Sequence, residues 1–262
     1  ISGGLVGSEM CIRDRFSMSR YLVILNSRTL YAFLISIIVP IISYRFSITY
    51  NIDLTLISIA IIFPIVFTIR GAFRRREKAI EHLSLFRGSL KTVENIVCGS
   101  KLDDNDIKKS SEMIENCNQG LINYLSSSDI SIADHDKNID NIYDFLLSKK
   151  DIIGNGTLQK VARFLKDTFD SADNLVGIHK HRTPISLKAY CLIFVYIFPM
   201  IYTPTIIYKI GIDNPPYLTY FIVILSEFIL ISLYNIQDQM EYPFDKEGID
   251  DIDLDIYKMK RK

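Results

Sequence analysis

The sequence predicts an all-α integral membrane protein with four transmembrane helices in two hairpins and a helical bundle between them. Three observations carry this: four long apolar stretches in two pairs, cations crowded at one end of those stretches, and helix-period apolar spacing through the middle. Thr29 to Tyr44 and Leu54 to Ile69 are free of charge, though at 16 residues each they are shorter than the ~20 that cross a bilayer untilted. Ala189 to Tyr208 reaches 20 residues, and Leu218 to Tyr234 is interrupted only by Glu227. A soluble chain can bury one such stretch as a core helix, but four are hard to hide from water.

Charge asymmetry orients the spans. The connector after the first carries Arg45 and the connector after the third carries Lys209. The opposite ends hold Arg70, Arg74, Arg75, Arg76, Lys78, His179, Lys180, His181, Arg182 and Lys188. By the positive-inside rule the middle segment and both termini are expected on the cytosolic or equivalent side. The expected organisation is an N-terminal hairpin over 18–69, a cytosolic helical region over 70–187, a C-terminal hairpin over 188–239 and an acidic tail over 240–262. Residues 1–17 stand apart, because LVGSEMCIRD resembles the translation of a sequencing adapter; Met18 is then the expected start.

The middle segment is built from helices. From Arg70 to Val97 the apolar residues Phe73, Ile80, Leu83, Phe86, Leu90, Val93 and Val97 recur at steps of three, four or seven, so the second span is expected to continue as one helix. Gly99 fits its end, and the acids at Asp103 to Asp106 suit the start of the next helix. Ile107, Met113, Ile114, Cys117, Leu121 and Leu125 give that helix its apolar face. Ser126 to Asp129 opens a loop, Ile139 to Leu146 marks a shorter helix, and Leu158 to Val176 marks another after the turn-like Gly154–Gly156.

Composition excludes several function classes. A net charge of zero with 48% hydrophobic residues argues against bulk electrostatic binding of nucleic acid. Cys11, Cys98, Cys117 and Cys191 have no metal or redox spacing, which fits reduced, structural thiols. The sequence has no P-loop, dinucleotide-binding, zincin or nucleophile-elbow motif, so no enzymatic activity is expected. His179 and His181, two apart beside Pro184, read as juxtamembrane charge rather than as metal ligands.

Two features carry candidate chemistry within the spans. Glu227 is the only ionisable residue deep in an apolar stretch, and such an acid is a proton relay, a polar contact between helices or a satisfied structural group. In the second span Ile61, Ile65 and Ile69 share one face at four-residue spacing, as do Phe63 and Phe67. If several copies surrounded an axis, either ladder would make a dewettable constriction, with ordinary helix packing as the alternative. The basic run Phe73 to Arg87 reads as a topological anchor and headgroup contact or as a ring of cations at a pore mouth, and both hold together if the protein oligomerises.

Three stretches together resemble the bestrophin family of anion channels, especially its prokaryotic-type members. They are ISIAIIFPIVFTIRGAFRRREKAIEHLSLFRG, the segment Gly177 to Pro199 with its T-P before the third span, and LYNIQDQMEYPFDKEGIDDIDLD at the exit of the fourth. The resemblance covers roughly 100 residues in the same order. It implies a homopentamer in a lipid bilayer whose second spans line an axial pore with a hydrophobic neck. Aligning Arg70 with the family's arginine after that neck implies Ile61, Ile65 and Ile69 at the constriction. Arg70, Arg74, Arg75 and Arg76 would then attract chloride or similar small anions. Asp245 departs from the glycine usual after P-F, and Phe73 to Arg87 is more basic and lacks the aromatic-rich pattern, tryptophan included, common in the family's helix.

In animal members a run of carboxylates after the fourth span clasps calcium, whereas prokaryotic-type members lack the full cluster. Here Asp245, Glu247, Asp250, Asp251, Asp253 and Asp255 lack EF-hand spacing. A solvated belt wrapping a neighbouring subunit is the expected role, with no cofactor; Asp250, Asp251 and Asp253 are the candidates should calcium bind. The alternatives to a passive anion channel are a proton-coupled carrier using Glu227 and a non-transporting membrane scaffold.

Overall fold

In the computed structural model, residues 25–127, 132–245, 248 and 251–260 are described. The segment 1–24, including Cys11 and Met18, lies outside them, as do Glu247 and Asp250. The described residues form eight α-helices and no strand. They are α1 (Ser27–Arg45), α2 (Thr55–Cys98), α3 (Asp104–Ser126), α4 (Ile132–Ser148), α5 (Lys150–Ile153), α6 (Asn155–Lys180), α7 (Ile185–Ile210) and α8 (Pro216–Met240), followed by a short 3₁₀ turn at Leu254–Tyr257.

Local chemistry sets the ends of these helices. Asn26 caps α1 by accepting from the Thr29 backbone N–H at 3.1 Å, while the Asn26 N–H donates back to the Thr29 hydroxyl. Asp103 caps α3 through the Asp106 N–H at 2.9 Å. Gly154, at φ +82°, turns the chain from α5 into α6 through backbone that a side chain would strain. Gly211 ends α7 in the same way at φ +95°.

Four helices, α1, α2, α7 and α8, are long and apolar enough to cross a membrane. The two short apolar runs lengthen once their flanks are counted: α1 has 19 residues and α2 has 44. At 1.5 Å per residue α2 is about 66 Å long, twice a bilayer core. Pro64 lies within it without ending it. The boundary drawn at Arg70 therefore falls inside one continuous helix that belongs to both halves of the molecule.

The two halves have separate cores. In the membrane half Ala32, Ile61, Ile65, Cys191, Val195, Phe198, Leu230, Ile231 and Tyr234 pack together. In the extramembrane bundle the lower part of α2 supplies Leu83, Phe86, Leu90 and Val93. These meet Ile114, Leu121 and Leu125 of α3, Ile142 and Leu146 of α4, and Val161, Leu165 and Leu175 of α6. α2 and α6 form the longest contact, which the periodicities of both helices anticipate.

The C-terminal segment packs back onto the bundle. Its described part lies on its own chain. Ile252 and Leu254 are buried in the bundle core, and the Ile252 N–H donates to the Pro243 carbonyl at 2.8 Å. Asn118 of α3 donates to the Tyr257 carbonyl and accepts from the Met259 N–H, both at 3.1 Å, while Arg87 of α2 donates to the Lys258 carbonyl at 3.0 Å. The apolar residues between the acids direct the segment onto the bundle.

Leu121 is fully buried at the centre of the bundle. Leu121→Ala is expected to cost ~2–5 kcal/mol, read as a lower unfolding temperature or denaturant midpoint for the purified protein. An unchanged midpoint would mean that this packing is wrong.

Candidate functional site

The first 15 or so residues of α2 are apolar on every side, so packing rather than pattern decides which face looks outward. Ile61, Ile65, Thr68 and Ala72 are buried along one stripe, with Ile61 and Ile65 only 2% and 1% exposed. Ile69 is half-buried against the same cluster. The three isoleucines of the expected neck thus differ in how far their own chain covers them. Ile61 and Ile65 fill the core of their own subunit against α7 and α8, while Ile69 keeps part of its surface.

Two residues along a helix are about 200° around it, so Phe63 stands opposite the Ile61–Ile65 stripe. Phe63 and Phe67 are 57% and 58% exposed, with ring centroids 5.5 Å apart. Leu56 and Ile59 precede them on this outward side. Arg70 and Arg74 follow, both exposed. The outward face of α2 thus changes from aromatic to cationic within about two turns.

Arg75 does not share that role. Its guanidinium turns inward to the Glu241 carboxylate, Nη1 to Oε1 3.6 Å, and Arg76 is half-buried. Of the four arginines proposed to attract anions, Arg70 and Arg74 keep an open charge on the aromatic face.

Glu241, 2% exposed at the end of α8, anchors an ion network. Its Oε2 lies 2.8 Å from Lys188 Nζ, and Oε1 accepts from the Thr183 N–H at 2.7 Å. Gln237, one turn earlier, donates to Oε2 at 3.3 Å. Lys188 also reaches Asp238 at 2.5 Å, and Arg28 of α1 donates to the other Asp238 oxygen at 2.6 Å. Three cations from α1, α2 and α7 therefore meet two carboxylates at the exit of α8. Arg182 stacks over the Tyr242 ring at 4.0 Å, extending the cationic cover.

These partners went unrecognised in the sequence because they come from separate segments. The available signal was the pair Asp238 and Glu241, three apart at the end of an apolar stretch, opposite Lys188 at the start of another. Charges so placed need partners once both stretches are packed.

The P-F turn completes this end of the molecule. Phe244 is buried in the bundle core, and His179 packs between it and Tyr124, with centroid distances of 6.1 and 5.5 Å. Burial, and then the nearby Arg182 and Lys180, lower the His179 pKa below the usual histidine value. At neutral pH it is thus an uncharged aromatic spacer rather than part of the basic cluster. His181 caps α6, outside that stack.

Among the described residues no group of three His, Cys, Asp or Glu side chains is placed to hold a metal ion. Asp251 accepts from the Gly248 N–H at 2.7 Å, and Asp253 caps the final turn through the Asp255 N–H at 3.0 Å. Asp250, the third calcium candidate, lies outside the described residues.

Glu227 lies midway along α8, 1% exposed, and both carboxylate oxygens lack a hydrogen-bond partner. Among the described residues it receives no hydrogen bond. It lines a cavity of about 390 Å³ between α1 and α8.

No family model and no curated protein matches this sequence. The architecture does match solved structures. A bacterial bestrophin homologue from Klebsiella pneumoniae, crystallised as a single-site variant, superposes with a TM-score of 0.73 at 14% identity, covering 90% of this chain and 94% of that one. The fold is bestrophin-like. A second variant from the same organism gives a TM-score of 0.72 at 14% identity over 90% and 96% of the two chains. A crystal structure of a membrane-protein variant gives 0.70 at 15% identity over 88% and 93%. The bestrophin-like fold thus extends over nearly the whole chain, including the extramembrane bundle.

The ion network yields a direct test. Glu241→Gln leaves Arg75 without its carboxylate and Lys188 with Asp238 alone, an imbalance of buried charge that costs on the order of 3 kcal/mol. The variant is expected to unfold at lower temperature in detergent. Equal unfolding temperatures for variant and parent would show that the network contributes nothing.

Proposed function

We propose that this chain is one subunit of a homopentameric channel that passes chloride or similar small anions passively through a bilayer. The observation that carries the reading is the outward face of α2, where the Phe63–Phe67 pair is followed at once by the exposed Arg70 and Arg74. Copies arranged around an axis with these faces inward would form a narrow aromatic neck that excludes water until it widens. The arginine ring below it would favour anions, and no bound cofactor or chemical step is needed.

The bestrophin-like fold supports the reading, as do the large apolar side chains that each subunit leaves uncovered on its spans, among them Leu56, Ile59 and Phe221. Lipid and neighbouring copies are the surfaces that would cover them. The cations at one end of the spans support an orientation with the bundle on the cytosolic or equivalent side.

In liposomes holding the pure oligomer, halide flux is expected, and Phe63→Ala or Phe67→Ala should raise it several-fold by widening the neck. Ile65→Ala should lower stability without a comparable gain in flux, since Ile65 is buried within its own subunit. Arg70→Glu together with Arg74→Glu should shift the reversal potential toward cations. A pure, oligomeric sample that passes no halide in either the parent or the Phe63→Ala form would sink the proposal.

Orientation is tested separately through Cys98, the exposed thiol at the end of α2. Cys117 is buried, which pushes its pKa up to about 12 and keeps it an unreactive thiol. In a Cys11→Ser background, an impermeant maleimide should label Cys98 in inside-out vesicles and not in sealed right-side-out ones. The reverse pattern would invert the proposed topology.

A further inference from the structure

The groove between α1 and α8 has the chemistry of a ligand site. Its walls are mostly apolar, formed by Ala32, Phe33, Ile224, Phe228 and Ile231, and Glu227 is set among them. Neither Glu227 oxygen has a donor, and among the described residues no cation pairs with it. Arg28, on the adjoining helix, is held by Asp238 at 2.6 Å. The serine in the wall, Ser36, donates its hydroxyl to the Phe33 carbonyl rather than to the acid.

A carboxylate without donors in an apolar site is costly, and what best relieves that cost is a partner bringing both a positive charge and N–H groups. Three occupants can be compared. A bare metal ion needs several oxygen, nitrogen or sulfur ligands, and Glu227 is the one carboxylate lining this groove. A proton alone neutralises the acid but leaves a cavity of about 390 Å³ lined by hydrocarbon. An alkylammonium ion satisfies both halves: its head pairs with Glu227 and its chain lies against Phe33, Phe228 and Ile231. The volume falls within the range of small-molecule sites, roughly 300–1,000 Å³.

Access follows from the same surfaces. Leu30, Phe33 and Phe228 border the groove and are exposed on the outside of the spans, the side that would meet hydrocarbon in a bilayer if no neighbouring copy covers it. An amphiphile dissolved in the bilayer would reach the site sideways, without passing through the proposed pore.

We propose that this groove binds a protonated primary amine carrying an apolar chain, with the Glu227 carboxylate as its counter-ion. The site is independent of the channel reading, since it lies within one subunit and requires no ion flow.

The experiment uses the full chain in nanodiscs of zwitterionic lipid, with n-octylamine as probe and n-octanol as the uncharged control. At about pH 7 the amine is protonated, as lysine side chains are. Octylamine is expected to raise the unfolding temperature and to appear in native mass spectra at one copy per subunit, while octanol does neither. Glu227→Gln should abolish both effects. Ile224→Trp, which fills the groove from a half-exposed position and keeps the carboxylate, should abolish them too. Equal responses to amine and alcohol, or an undiminished amine response in Glu227→Gln, would overturn the proposal.

Discussion

The structure depends on the charges gathered where the four spans meet the bundle. Arg28, Arg75 and Lys188 come from three helices, and the carboxylates that hold them, Asp238 and Glu241, come from the exit of the fourth. Each pair is partly withdrawn from water, where opposite charges attract more strongly than at an open surface. Removing any one member leaves others unmatched, so the set behaves as a unit rather than as a sum of pairs. It fixes the end of α8 against the middle of α2, at the level where membrane packing gives way to bundle packing.

That attachment has a geometric consequence for α2. One continuous helix carries the membrane core at Ile61 and Ile65 and the bundle core at Leu83, Phe86 and Leu90. With the helix clamped at Arg75 between these two regions, its rotation about its own axis is set. Phe63, Phe67, Arg70 and Arg74 therefore face outward as a necessary complement of what is packed inward. The aromatic-to-cationic face needs no dedicated support, because the stripe behind it provides the support.

Much of this was legible in the sequence, and the failures have identifiable causes. The four spans, the extension of the second into the bundle and the end at Gly99 all follow from hydropathy and periodicity. The neck was assigned to Ile61, Ile65 and Ile69 because the second span is apolar on all sides; such a helix carries no internal signal distinguishing its core face from its open one. Only the side chains of α7 and α8 break the tie, and they lie more than 100 residues away in sequence. In the acidic tail the placing signal lies in the apolar residues. Its carboxylates dominate the composition, and Ile252 and Leu254 between them place its described part on the bundle. Arg75 was grouped with its neighbours because the run shows four like residues and not the buried acid awaiting one of them.

Two acids of α8 illustrate how one helix treats identical side chains differently. Glu241, at its exit, receives a lysine, an arginine, a backbone amide and a glutamine. Glu227 lies about 21 Å earlier along the helix and receives nothing. Both are nearly fully buried, so both incur the loss of water, but only one is compensated within the chain. Glu227 thus carries a desolvation cost that Glu241 has offset by its partners. What distinguishes Glu227 is the open groove in front of it, and a carboxylate facing a hydrocarbon-lined space suits a cation with a hydrocarbon chain.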